Sequence, residues 1–214
     1  KCYLTFIPTI LSTDAMFTNA TAYREDNTVK YHFTKSPDET IFDDSILSSV
    51  DYKYLAEKFE WKKWFEVHQA NVGERRLKLL DVACGSGKFP SALVQYAKLS
   101  DAKILPVEYG LLDPSSFSIA ETRKVLRFPF EVSSEFETTL QEFSCEQGAY
   151  DIIWATHALY AIPNHELKDA LKRFKHGMAG SGFIAHASQE SHYLNFYRHY
   201  LNGFKDGSGE PYSS

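Results

Sequence analysis

Leu77-Lys78-Leu79-Leu80-Asp81-Val82-Ala83-Cys84-Gly85-Ser86-Gly87 is the stretch that decides the fold. Leu77 to Cys84 is short and mainly apolar, which predicts a buried strand. Gly85 and Gly87 predict a tight turn whose backbone approaches a ligand closely. A helix follows, over about Phe89 to Leu99. Its first turn offers unpaired N–H groups and a positive dipole end to whatever lies above the strand.

Downstream the pattern repeats. Strands are expected at Ile104 to Leu112, Phe128 to Val132, Tyr150 to Ala155 and Phe183 to Ala187. Helices are expected between them at Ser115 to Leu126 and at His165 to His176, the latter stopped by Gly177 and Gly180-Ser181-Gly182. A last helix is expected at Tyr193 to Phe204. Strands alternating with helices predict an α/β fold: a doubly wound, mainly parallel sheet. Ligands of such sheets bind beyond the carboxyl ends of the strands, where the strand order reverses. The residues that matter are therefore expected at 81–88, 113–118, 131–137 and 154–160.

Upstream, Ile46, Leu47, Val50, Tyr54, Leu55, Phe59, Trp64 and Phe65 recur at mostly helical spacing and predict a helix from Ser45 to Gln69. Thr21 to Phe33 reads as a hairpin or an irregular lid. The chain thus divides into an N-terminal helical and irregular segment over 1–70, expected to cover a substrate, and a core over 71–214.

Three ligand classes use a strand–glycine turn–helix. A phosphate-binding loop of the GxxxxGK[ST] kind is excluded, because Val82 stands at its first Gly and Phe89 follows Lys88. A dinucleotide turn needs GxGxxG, and Pro90 occupies the third Gly. Asp81 beside the helix start also disfavours a pyrophosphate. S-adenosylmethionine has a cationic sulfonium and ammonium, for which Asp81 is an advantage. A strand and turn holding no ligand is the remaining alternative.

Leu79 to Gly87 (LLDVACGSG) resembles the first motif of class I S-adenosylmethionine-dependent methyltransferases, and the later strand ends follow in the family's order. The resemblance implies a Rossmann-like fold with S-adenosylmethionine as cofactor and S-adenosylhomocysteine as product. Asp81, Gly85 and Gly87 would form the cofactor turn. Asp113, in Leu111-Leu112-Asp113-Pro114-Ser115, would take both ribose hydroxyls, a task suited to a carboxylate with two acceptor oxygens. Glu108 is its competitor. Glu131-Val132-Ser133-Ser134-Glu135 would lie along the adenine, and Tyr150 to Tyr160 (YDIIWATHALY) would face cofactor and substrate. Asp113-Pro114-Ser115-Ser116, Val132 to Phe136 and His157-Ala158-Leu159-Tyr160 most resemble the histamine N-methyltransferase group. That likeness implies cofactor contacts at Gly85, Asp113, Ser118, Ser133, Ser134 and Thr156. Position 157 would face the substrate. It is His here and Gln in the histamine enzymes, which points away from histamine and toward another small polar molecule.

His157 is the candidate general base, its ordinary pKa being about 6.5. Its alternative is a substrate-binding or packing group. Tyr160 is its companion, as pocket wall or donor. The expected reaction is methyl transfer to an amine nitrogen. The alternatives are O-methylation of a small hydroxylated metabolite and a non-catalytic methyltransferase-like domain. A class I sheet has two further strands after the fifth; here they are expected to be missing or replaced.

Composition narrows the partners. The net charge is −5, so no broad basic face for nucleic acid is expected. No apolar run reaches membrane-spanning length, and no membrane partner is expected. Cys2, Cys84 and Cys145 make no paired framework, which predicts a reducing, cytoplasmic setting. No His, Cys and carboxylate spacing predicts a metal site. A monomer is expected. Aromatic residues make up 15% of the chain, and many fall outside the cofactor motifs. Tyr23, Tyr31, Phe33, Phe42, Tyr52, Tyr54, Trp61 and Trp64 are lid candidates, with core packing the alternative for each.

Overall fold

The computed structural model describes the backbone of residues 20–25, 28–33 and 50–186, with side chains from 51 onward. Strand β1 (Ala20–Glu25) pairs antiparallel with β2 (Thr28–Phe33), so the N-terminal run is a hairpin rather than an irregular lid. Helix α1 (Val50–Lys58) and helix α2 (Trp61–Val72) follow as two helices where one was expected. Then come β3 (Lys78–Val82), α3 (Lys88–Gln95), β4 (Val107–Leu112), α4 (Ser116–Val125), β5 (Phe130–Phe136), β6 (Tyr150–Thr156), α5 (Asn164–Gly177) and β7 (Met178–Ala185). The helix expected from Tyr193 lies outside the described residues.

The five core strands form one parallel sheet in the order β5-β4-β3-β6-β7. The chain winds outward from β3 to β5, then crosses back to β6. The order therefore reverses between β3 and β6, and the crevice for a ligand opens at their carboxyl ends. The central strands are buried almost throughout, as befits strands covered on both faces. Successive residues serve opposite cores. Leu79, Leu111 and Ile152 join one, with Trp61, Phe65 and Phe89 from the helices. Leu80, Leu112 and Ile153 join the other, with Ala170 and Phe174 of α5.

Much of the aromatic excess is core. Trp61, Phe65, Phe89, Tyr109, Phe130, Trp154 and Phe183 interlock, mostly edge to face, with centroid distances such as 5.4 Å for Trp61–Phe89 and 5.0 Å for Phe89–Trp154. Such pairs add roughly 0.5–1.5 kcal/mol each beyond the area they bury. Trp61 leaves the set of lid candidates on this evidence. Its indole N–H donates to the Leu55 carbonyl at 2.8 Å and ties α1 to α2. The expected division at 70/71 falls inside α2.

Several boundaries moved for physical reasons. Strand β4 starts at Val107 rather than Ile104, after Pro106, which has no N–H for a ladder. Gly180 and Gly182 do not end α5; they lie within β7, directly after it. There a Cβ on Gly180 would stand 2.5 Å from the Asp151 carbonyl oxygen, so the glycine admits close approach of β6. Strand β5 runs to Phe136, with a register shift that leaves Ser133 between the pairs Tyr109–Val132 and Gly110–Ser134. Glu131 to Glu135 thus lie within the strand, which was expected to end at Val132.

Candidate functional site

The turn after β3 is held from three sides. The Gly85 N–H donates to Asp113 Oδ2 at 3.0 Å, and the Ser115 N–H donates to Asp113 Oδ1 at 2.9 Å. Thr122 of α4, fully buried, donates its hydroxyl to the Gly85 carbonyl at 2.8 Å. Gly87 caps α3 with φ +70°, and a Cβ there would meet Val125 Cγ2 at 2.6 Å. Packing is thus a reason for glycine at position 87 beside its expected place in the cofactor turn. A Cβ on Gly85 would meet nothing closer than 3.9 Å; its surroundings are open, as a ligand requires.

Asp81 sits under this turn, 2% exposed. The Tyr109 hydroxyl donates to its Oδ2 at 2.6 Å. Burial pushes the Asp81 carboxyl up to about 7; the Tyr109 and Trp154 donors pull it down, and Asp113 pushes it further up. Trp154 Nε1 acts on Asp81 by proximity, for it is buried and makes no hydrogen bond of regular geometry among the described residues. Asp113 lies just beyond β4, at the carboxyl end. Glu108 is the second residue of that strand, near its other end, so it drops out as the ribose candidate.

Thr156 ends β6, buried, and hydrogen-bonds the Tyr52 side chain of α1. His157 follows with φ +53°, an uncommon conformation for a residue with a Cβ. Its N–H donates to the Ala185 carbonyl at 2.8 Å, which anchors it to β7. Its Nε2 is buried and has no hydrogen-bond partner among the described residues. Burial lowers its pKa; Asp51 opposes the shift and His186 adds to it. Tyr52 meets the imidazole edge-on and also faces Phe89, with centroid distances of 5.5 and 6.1 Å. Tyr160 lies in the turn Leu159–Ala161, close enough to Tyr52 to raise its pKa.

The structure therefore gathers Asp81, Gly85, Asp113, Thr156, His157 and Tyr160 at the carboxyl ends of β3, β4 and β6. It does not bring the serine pair of β5 there. Ser133 is exposed in the bulge and Ser134 pairs opposite Gly110. At about 3.3 Å per residue, Ser133 lies roughly 10 Å short of Phe136, where the Asp113 N–H meets the strand. Ser118 is buried in the first turn of α4, its N–H donated to Ser115 Oγ at 3.2 Å. Sequence reasoning missed Tyr109 as a partner of Asp81 and left Tyr52 among eight lid candidates. A tyrosine in an otherwise apolar strand was the available signal for Tyr109. Phe117, 52% exposed at the start of α4 beside Asp113, was also passed over. Among the described residues no group of His, Cys, Asp and Glu is arranged to hold a metal, and no helix is long and apolar enough to cross a membrane.

Sheet order, glycine turn and the paired carboxylates define the class I S-adenosylmethionine-dependent methyltransferase fold. Residues 58–193 match the family described as AdoMet-dependent proline di-methyltransferase, and the chain belongs to that family. No curated protein matches. Among solved structures, the chain is similar to trans-methyltransferase CalH in complex with SAH, at 21% identity and TM-score 0.53, over 72% of this chain and 43% of that one. It is also similar to the plantazolicin methyltransferase BpumL in complex with SAH, at 14% identity and TM-score 0.44, over 78% and 59%. A possible histamine N-methyltransferase from Thermotoga maritima shows 14% identity and TM-score 0.41, over 74% and 67%. The chain thus spans about half the length of the first two.

Proposed function

We propose that this protein methylates an amine nitrogen of a small polar substrate, with S-adenosylmethionine as donor. The observation that carries the reading is the buried Nε2 of His157, without a hydrogen-bond partner among the described residues, at the end of β6 beside the turn framed by Asp81 and Asp113. The donor set suits the cofactor. Asp81 offers a carboxyl to an ammonium, Asp113 offers acceptor oxygens to a diol, and Gly85 leaves room for close approach. When bound, S-adenosylmethionine supplies a methyl group activated by its sulfonium for in-line displacement.

The chain's own residues supply position and a proton acceptor. Positioning alone reaches roughly 7–11 kcal/mol in favourable cases. A protonated amine must lose a proton before its lone pair can attack. Burial lowers the pKa of His157 and so favours the neutral imidazole, the form able to accept a proton. Tyr52 and Tyr160 line the approach. The family's description names proline, whose nitrogen can gain two methyl groups only where it is an amine, free or at a chain terminus, and not an amide. This supports nitrogen over oxygen as the acceptor. The free thiols of Cys84 and Cys145 support a cytoplasmic setting, and we take the protein to act as a monomer.

A panel of proline-type amines, primary amines and phenols, read by S-adenosylhomocysteine formation, tests the proposal. Turnover with amines is expected. Turnover confined to phenols would overturn the choice of nitrogen, and absence of cofactor binding would overturn the whole reading.

A further inference from the structure

The Asp81 carboxyl sits in unusual company. It is almost fully buried, and among the described residues it has no ion-pair partner. What faces it from each side is neutral or acidic. From β4 comes the Tyr109 hydroxyl at 2.6 Å. From beyond β4 comes Asp113, from the turn after β3 the Cys84 thiol, from β6 the Trp154 indole and from α1 the Tyr52 phenol. Tyr109 is itself fully buried between Phe130 and Trp154, with centroid distances of 4.9 and 5.8 Å, so its hydroxyl has one place to point. An apolar ring would fill the same space in this core. The hydroxyl serves Asp81.

We propose that Tyr109 is a positioning residue for cofactor capture: its hydroxyl orients the Asp81 carboxyl and favours the carboxylate that receives the cofactor's ammonium. The inference rests on the reading of Asp81 as the ammonium's partner. In the ligand-free protein near neutrality, Asp81 carries a proton for much of the time, because burial and Asp113 oppose its charge. An arriving ammonium needs the carboxylate. The proton then leaves to solvent, and the new carboxylate is held by the Tyr109 O–H and the ammonium together. Nothing else is consumed. Affinity should rise with pH up to the midpoint of Asp81 and level off above it.

Calorimetry with S-adenosylhomocysteine tests this without turnover, since that molecule keeps the ammonium and lacks the sulfonium charge. In two buffers of different ionisation enthalpy at pH 6.5, the native protein should release more than half a proton per site. Below the midpoint its affinity should fall about tenfold per pH unit. Tyr109→Phe removes one donor to the carboxylate, so the midpoint should move up. The variant should bind roughly tenfold more weakly at pH 6.5 and within a few-fold of native at pH 8. A Tyr109 that is only structural would weaken binding equally at every pH, and that result would overturn the proposal. So would native binding with no proton released, a result independent of whether the variant folds. If the native protein bound no S-adenosylhomocysteine at any pH, the cofactor reading would fall and this proposal with it. A flat pH profile with tight binding would remove this proposal alone.

Discussion

Tyr52 of α1 meets His157, at the end of β6, edge-on with 5.5 Å between ring centroids, while its side chain hydrogen-bonds Thr156. One residue of the N-terminal segment thus touches both Thr156 and His157. Tyr52→Phe removes the bond to Thr156 and keeps the ring. The expected cost is about 1 kcal/mol of stability, seen in denaturant unfolding. Tyr52→Ala also removes the wall beside His157, so acceptor KM should rise more than kcat falls.

Asp113 holds two backbone amides as well as its proposed ribose site. Asp113→Ala should weaken S-adenosylhomocysteine binding by about 10- to 100-fold, the range for one lost charge-assisted hydrogen bond at roughly 1.5–3 kcal/mol. Glu108→Ala, at the far end of β4, should leave affinity unchanged. Calorimetry on both variants decides between them.

Asp81 trades stability for binding. Its folded pKa, about 7, lies above the ordinary carboxylate value of 3.8. The unfolded chain therefore releases the proton first as pH rises, and the folded state loses stability between pH 4 and 7, on the order of a few kcal/mol at full extent. Asp81→Asn keeps an acceptor for Tyr109 and removes the charge. Its melting temperature should exceed that of the native protein at pH 8 and approach it at pH 4, with cofactor binding lost. Thermal melts at the two pH values show whether the sign is right.

His157 shifts the other way. Burial lowers its folded pKa, so protonation favours the unfolded chain, and its contribution to stability is lost as pH falls through about 6.5 toward the folded value. The acid limb of kcat/KM should fall below the usual histidine value for the same reason. His157→Gln should lower kcat and flatten that limb. A limb unchanged in the variant would assign it to another group.

Ala83 holds φ +55° in the turn. A left-handed conformation costs a residue with a Cβ roughly 1–2 kcal/mol, whereas glycine loses about 0.5–1 kcal/mol more chain entropy on folding. The first effect is the larger. Ala83→Gly should raise stability by about 0.5 kcal/mol, a gain of one or two degrees in melting temperature.

Much of the core was legible because its information is local. Apolar runs at 77–84 and 150–155 marked buried strands, and glycines marked the turn. The acid after an apolar run marked Asp113. Strands β3 and β6 and the helices α4 and α5 were read close to their observed limits, whereas β5 continues to Phe136 and β7 begins at Met178, beyond the expected bounds. The serines of β5 were read as lying beyond the strand, because a bulge is settled by pairing with β4 and by no feature of the β5 sequence itself. Gly180 and Gly182 misled for a similar reason: the same residue type ends a helix or admits a neighbouring strand, and only the neighbour decides.

By itself the amino-acid sequence determined that strands and helices alternate, that an acid precedes a glycine turn, and that a second acid follows the next strand. Those are patterns within a few residues, governed by side-chain period and backbone sterics. The tertiary structure alone decided that Tyr109 reaches Asp81 across 28 positions, and that Tyr52 stands over His157 from a helix before the sheet. Strand register and helix packing set those contacts, and the free energy of burying the aromatic core sets both.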